Sequence, residues 1–300
     1  MIIADLHNDT AYELYYNKQK LKKNNLHIDL TKQAFSKNLL FYSIYMNPIK
    51  YMKNPRKYFF NIYNNFINEI AKNKDEIKLF ESVSDFTENS LHNAVLTVEG
   101  GDFVEKISDV ALISALKIKM LGLTWNFSNR LASSVTDEND KGLSPFGYEI
   151  IKKMEEKNIT VDLSHSSDKT FFDVIKIAKK PVAVSHSNSR TICKNNRNIT
   201  DEMFVALIEN KGILGLNFHR EFVGEDAEIC DFLKHIEHFL KLGGENAIAF
   251  GSDFDGTDTL TYEIHDFRSF YTVYDILENT FGKKTADKIA YKNIMNFLNS

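Results

Sequence analysis

The chain has 300 residues, 43% hydrophobic and 26% charged, with 13 glycines and 4 prolines, which excludes collagen, low-complexity sequence and intrinsic disorder. Its 37 lysines and arginines against 41 aspartates and glutamates leave a net charge of −4, with no basic footprint for nucleic acid or an anionic membrane. Cys193 and Cys230 are too few for a disulfide framework, no apolar stretch nears the ~18 residues of a bilayer span, and the opening MIIADLHNDT lacks the basic n-region of a signal peptide, so a cytoplasmic globular protein is expected.

Short apolar runs predict strands at Ile2–Leu6, Leu39–Tyr45, Ala94–Val98, Met120–Thr124, Ile159–Ser164, Val182–Ser185, Ile213–Phe218 and Ile248–Ser252. They do not alternate cleanly, as befits strands buried on both faces of a parallel sheet. The intervals predict helices. The aromatic stretch Tyr58–Ile70 has helical spacing, and Ser144-Pro145 reads as the N-cap and first position of a helix ending near Asn158. Ser167 caps a helix running towards Lys179 and Lys180 and stopped by Pro181; Thr200, with Asp201 and Glu202 in the first turn, starts another. Phe232, Leu233, Ile236, Phe239 and Leu240 share one helical arc that ends before Gly243-Gly244, with His235 and His238 off it on a solvated face. His27, His92 and His265 sit in polar contexts without a partner pattern. Residues 254–300 are expected to hold only helices and loop. Eight strands alternating with helices predict one domain over residues 1–300, a (β/α)8 TIM barrel, a fold of about 250 residues. An open doubly wound sheet satisfies the same strand count.

The residues at the strand ends carry the chemistry. His7-Asn8-Asp9 comes after the first strand, Glu99 after the third, His165 after the fifth, His186 after the sixth and Asp253 after the eighth. In a barrel all of these face the C-terminal rim, where such folds place their sites. Singly, each has an ordinary explanation. His7 and Asp9 could be a hydrogen-bonded pair, Glu99 a loop cap before Gly100-Gly101, and the two Ser-His-Ser settings hint at a hydroxyl nucleophile but lack the G-x-S-x-G elbow. Jointly they point to metal, because burying so many titratable groups without an ion is costly. Imidazole with carboxylate suits zinc, with other first-row divalent metals as alternatives. The set divides into two ions: one on His7 and Asp9, one on His165 and His186, with Glu99 bridging. Such a pair holds a shared water and lowers its pKa from ~15.7 towards ~7, giving hydroxide at neutral pH. Asp253, needed by neither set, is left to shuttle a proton. His219, after the seventh strand, reaches the same rim and could contact substrate.

The segments DLHND (5–9), VEGGD (98–102), DLSHS (162–166), VSHSN (184–188) and GSDFDG (251–256) together resemble the membrane (renal) dipeptidase family, binuclear zinc peptidases on a (β/α)8 barrel of the metal-dependent hydrolase type. The resemblance implies His7, Asp9, Glu99, His165 and His186 as ligands of two Zn2+ ions and Asp253 as the catalytic carboxylate. It places Arg197, in CKNNRN, where the family binds the substrate's terminal carboxylate, a role that suits a planar guanidinium. It places Tyr45, in SIY, near the substrate. Two positions depart from the pattern. Leu123-Thr124-Trp125 stands where the family commonly reads L-T-H, so Trp125 would line the pocket and cannot act as acid or base; Tyr291 stands where many relatives carry glycine. The implied activity is hydrolysis of dipeptides, a small peptide being the partner, with no nucleic acid or membrane and with homodimers common in the family. A same-barrel hydrolase of lactones, cyclic amides or phosphoesters shares the metal chemistry, and a non-catalytic protein that keeps its metal is the other alternative.

Overall fold

Nine parallel strands carry the architecture of the computed structural model, which describes residues 1–33, 37–45, 47, 53–88 and 92–300. They are β1 (Ile2–Asn8), β2 (Lys37–Tyr45), β3 (Ile77–Leu79), β4 (His92–Glu99), β5 (Ile118–Gly122), β6 (Thr160–Asp162), β7 (Ala183–Val184), β8 (Ile213–Leu216) and β9 (Ile248–Phe250). Pairing runs β2-β1-β9-β8-β7-β6-β5-β4, and the β2–β4 ladder closes the ring. Eight strands therefore form a closed TIM barrel rather than an open sheet. The unanticipated ninth, β3, is three residues long and pairs with β4 at His92–Ala94, below the stretch Leu96–Val98 that pairs with β5.

The expected strands all appear, but several stop early. Thr160–Asp162 and Ala183–Val184 replace longer expectations because the Asp162 carboxylate takes up backbone N–H groups at both strand ends. Its Oδ1 accepts from Ser164 N at 3.1 Å and Ser185 N at 2.9 Å. Asp5 Oδ1 does the same for Ser252 N at 2.7 Å, just past β9. The barrel is tight where β8 and β9 meet the end of β7: a Cβ on Gly215 or Gly251 would lie 1.9 or 2.0 Å from the Ser185 carbonyl oxygen, so neither position admits a side chain.

Local signals placed the outer helices well. Asn54 caps Pro55–Lys72, Ser144 caps Pro145–Glu156, Ser167 caps Asp168–Ile177 and Thr200 caps Asp201–Glu209, each accepting a backbone N–H with its side chain, worth about 1 kcal/mol per cap. In helix Ile229–Lys241 the expectation for His235 fails. It is fully buried, since positions 232, 235, 236 and 239 share one face. Its Nδ1 accepts from Ser189 N at 3.0 Å and its Nε2 donates to the Val223 carbonyl at 2.8 Å. His238 is part-exposed and lies 2.7 Å from Asp201. His27 and His92 do have partners, Asp255 and Asn38.

Residues 254–300 carry no ladder strand and form helices Ser269–Phe281, Lys283–Asp287 and Asn293–Leu298 with a helical turn at 288–292. Ile294 joins Ala4, Leu6, Leu39, Val95, Ile213 and Ala249 in the apolar filling of the barrel, and Tyr291 packs beside it. Among the described residues no helix is long and apolar enough to cross a membrane.

Candidate active site

Every sequence-predicted site residue lies at the C-terminal mouth of the barrel or in the loop after its strand. His7 is the penultimate residue of β1. Asp9 has already left the strand: it precedes helix Thr10–Tyr16 without capping it through its side chain, which frees the carboxylate to swing to 3.4 Å from His7 Nε2. Glu99 ends β4 and spans the cluster. Its Oε2 lies 3.7 Å from His7 Nε2, while its Oε1 lies 2.7 Å from His165 Nε2 and 3.4 Å from His186 Nε2. Asp253 presents Oδ1 at 3.8 Å from His7 Nε2, and its Oδ2 accepts from Asn217 Nδ2 at 3.1 Å. All six side chains are buried. Donor atoms of His7, Asp9 and Asp253 lie within 4.8 Å of one another, as do those of His7, Glu99 and His186.

Backbone conformation aims several of these groups. His165, Asp253 and Asp255 have φ of 64°, 61° and 67°, a left-handed region that costs non-glycine residues about 1 kcal/mol and clusters at functional sites. Gly256 is required beside them, since a Cβ there would stand 2.3 Å from both Asp253 Oδ1 and Asp9 Oδ2.

The donor set fits metal ions on three observations. His7 Nε2 and Asp9 Oδ1 are buried without a hydrogen-bond partner, an expense that a cation removes. The Nε2 atoms of His165 and His186 face each other at 3.0 Å. Ser185 Oγ commits its proton to Asp162 Oδ2 at 2.6 Å, so it accepts from His186 Nδ1 at 2.8 Å, and His165 Nδ1 meets Asn126 Oδ1 at 2.7 Å. These partners assign the proton to Nδ1 of each ring and leave two lone pairs and Glu99 Oε1 converging on one point. That arrangement is repulsive unless a cation sits between them, and it is the usual way a ligand imidazole is oriented. Charge points the same way. Burial, together with the charges of Arg197 and His7, holds His165 and His186 well below the usual imidazole range, so both are neutral. Burial also opposes charge on His7, but the Asp9, Glu99 and Asp253 carboxylates outweigh it and push its pKa up to about 10. Burial and the Asp9 charge push Glu99 well up, so the cluster holds more carboxylate than its own cations neutralise.

The cluster opens into a cavity of about 220 Å³ whose lining includes Tyr12, Tyr45, Trp125, Arg197, His219 and Phe222. Arg197 is half-buried, its guanidinium 5.2 Å from the Phe222 ring, donating long hydrogen bonds to Ser187 Oγ and the His186 carbonyl. Its Nε has no hydrogen-bond partner; burial works against its charge, and the Asp253 and Glu99 carboxylates support it.

The family model of the membrane dipeptidases, peptidase family M19, matches this chain over residues 1–300. The chain belongs to the membrane dipeptidase family. As a member of that family it is a metallo-dipeptidase, a hydrolase of peptide bonds, and metal ions belong to its site. Among family relatives, an uncharacterised protein encoded in the region 5′ of pqqA in Klebsiella pneumoniae is 28% identical over 246 residues, covering 76% of this chain and 90% of that one. An uncharacterised dipeptidase of Schizosaccharomyces pombe is 32% identical over 200 residues, 62% of this chain and 48% of that longer protein. Among solved structures, a metallopeptidase from Rhodobacter sphaeroides, liganded with a phosphinate mimic of the dipeptide L-Ala-D-Ala, superposes with a TM-score of 0.91 at 21% identity over 100% of this chain and 99% of that one; this likeness concerns the fold.

Sequence reasoning missed the residues that brace this dipeptidase site. Asp162, Ser185 and Asn126 orient the imidazoles, Asn217 orients Asp253, and Ser252 donates to Asp5 Oδ2 at 2.6 Å immediately before Asp253. The only signal was position: Asp5 and Asp162 each lie two or three residues ahead of a strand-end histidine.

Proposed function

We propose that this family member is a two-zinc dipeptidase made of a single barrel domain. In this reading His7 and Asp9 would hold one ion and His165 and His186 the other, with Glu99 serving both; other first-row divalent ions suit the same nitrogen and oxygen donors. When bound, the ions would supply Lewis acidity and make a water nucleophile available near neutral pH. The chain's own groups do the rest. Asp253, held by Asn217 and by its left-handed backbone, takes a proton from the attacking water and returns it to the leaving amine. Arg197 grips the substrate's C-terminal carboxylate, and Tyr45 and Trp125 wall the cavity. Free Cys193 and Cys230 suit a reducing compartment and support a cytoplasmic location in this reading.

The observation that carries the substrate class is Arg197: a half-buried guanidinium whose Nε is left without a hydrogen-bond partner, lining a small cavity beside the ligand cluster. Arg197→Met should raise KM for a dipeptide by about a hundredfold, since a charge-assisted bidentate contact is lost, while metal content stays at the wild-type value. Equal loss of KM and metal, or an unchanged KM, defeats the assignment. The parallel measurement compares Ala-Ala with its C-terminal amide, which should be the far poorer substrate.

A further inference from the structure

The two sides of the barrel mouth differ in chemistry. Around the closed ring β2 and β7 are four strands apart, so they stand opposite each other. Arg197 lies in the segment after β7, against Phe222 and the His186 carbonyl. Tyr45 ends β2, with its ring 5.2 Å from that of Trp125 and 5.0 Å from that of Tyr12. Trp125 leans on His165 at 6.1 Å and continues to the exposed ring of Phe127 at 5.8 Å. Tyr12, Tyr45 and Trp125 line the same cavity as Arg197, as do Glu99 and His165 of the ligand cluster.

A dipeptide held by its carboxylate at Arg197 crosses the ligand cluster and brings its other end to the aromatic wall. That end is the N-terminal residue. A row of rings running Tyr12, Tyr45, Trp125 attracts apolar and aromatic groups through burial and ring packing, and the indole offers one N–H donor and nothing that titrates. We propose that Trp125, with Tyr45 and Tyr12, is the specificity-determining surface for the side chain of the substrate's N-terminal residue and selects dipeptides in which that residue is aromatic or large aliphatic. The proposal rests on the placement of the carboxylate at Arg197.

The test is kcat/KM on the metal-loaded enzyme for an X-Ala series and an Ala-X series, X being Gly, Ala, Leu or Phe. In the X-Ala series the value should rise from Gly to Phe by at least about thirtyfold, within the range that one buried hydrophobic group supplies, while the Ala-X series stays within about fivefold. Trp125→Ala should shrink the Phe-Ala to Gly-Ala ratio at least about tenfold, with Trp125→Leu in between. A flat X-Ala series in the wild type, a preference that tracks the C-terminal residue, or a ratio unmoved in both variants at full metal content overturns it. Phe-Ala amide run beside Phe-Ala tells the two readings apart: equal rates bring down the carboxylate grip, and the aromatic wall then stands or falls on the Phe-to-Gly ratio alone.

Discussion

The ligand cluster has two halves joined at Glu99, and they are built alike but charged differently. On the β1–β9 side, Asp5 clamps Ser252 through both its backbone N–H and its hydroxyl; on the β6–β7 side, Asp162 clamps Ser185 in the same way. Each clamp replaces ladder bonds with a carboxylate and fixes the next residue along the chain, Asp253 in one case and His186 in the other. The β1–β9 half is acidic, with Asp9 and Asp253 beside His7, whereas the β6–β7 half offers two neutral imidazoles. On the proposed reading, the acidic half moves the proton and the imidazole half holds a cation.

Glu99→Gln tests the junction and should have the largest effect. The amide keeps the shape but loses the shared charge, so both metal equivalents should fall in elemental analysis and turnover should drop by about 10³ or more; retention of two ions would separate the halves. Asp253→Asn should keep both metals while kcat falls by about 10²–10⁴, the scale of a lost general acid–base, and near-normal kcat removes the proton-moving role from the acidic half. Asp162→Ala strips the clamp from the imidazole half alone. One metal equivalent should then yield to chelator at about 10–100-fold lower concentration than the other, and simultaneous release of both would show that the halves do not act separately.

The smallest effect lies outside the cluster. Burial pushes the neutral His235 down to about 4 from its ordinary 6.5. Below about pH 6.5 the unfolded chain takes up a proton that the folded chain refuses, so stability falls as pH drops towards about 4 and levels off beneath it, by about 3 kcal/mol in all. His235→Gln should flatten that part of the stability-versus-pH curve in denaturant titrations; an unchanged slope would mean that the imidazole is not the group responsible.

Local order determined much of this protein on its own. An apolar run buried on both faces announces a parallel strand, a Ser or Thr before a helical stretch announces its cap, and an imidazole or carboxylate at the end of such a run announces the rim of a barrel. His7, Glu99, His165, His186 and Asp253 were legible for that reason. The barrel closes as expected, but closure was not legible in strand count alone, because the β2–β4 ladder depends on pairing. Nor were the clamps: Asp162 meets Ser185 across 23 residues and Asp5 meets Ser252 across 247, separations at which sequence has no register. His235 illustrates the same limit, its two hydrogen-bond partners lying 46 and 12 residues away. Whether a polar side chain faces water or a buried partner is decided by what packs over it, and only the folded chain supplies that neighbour.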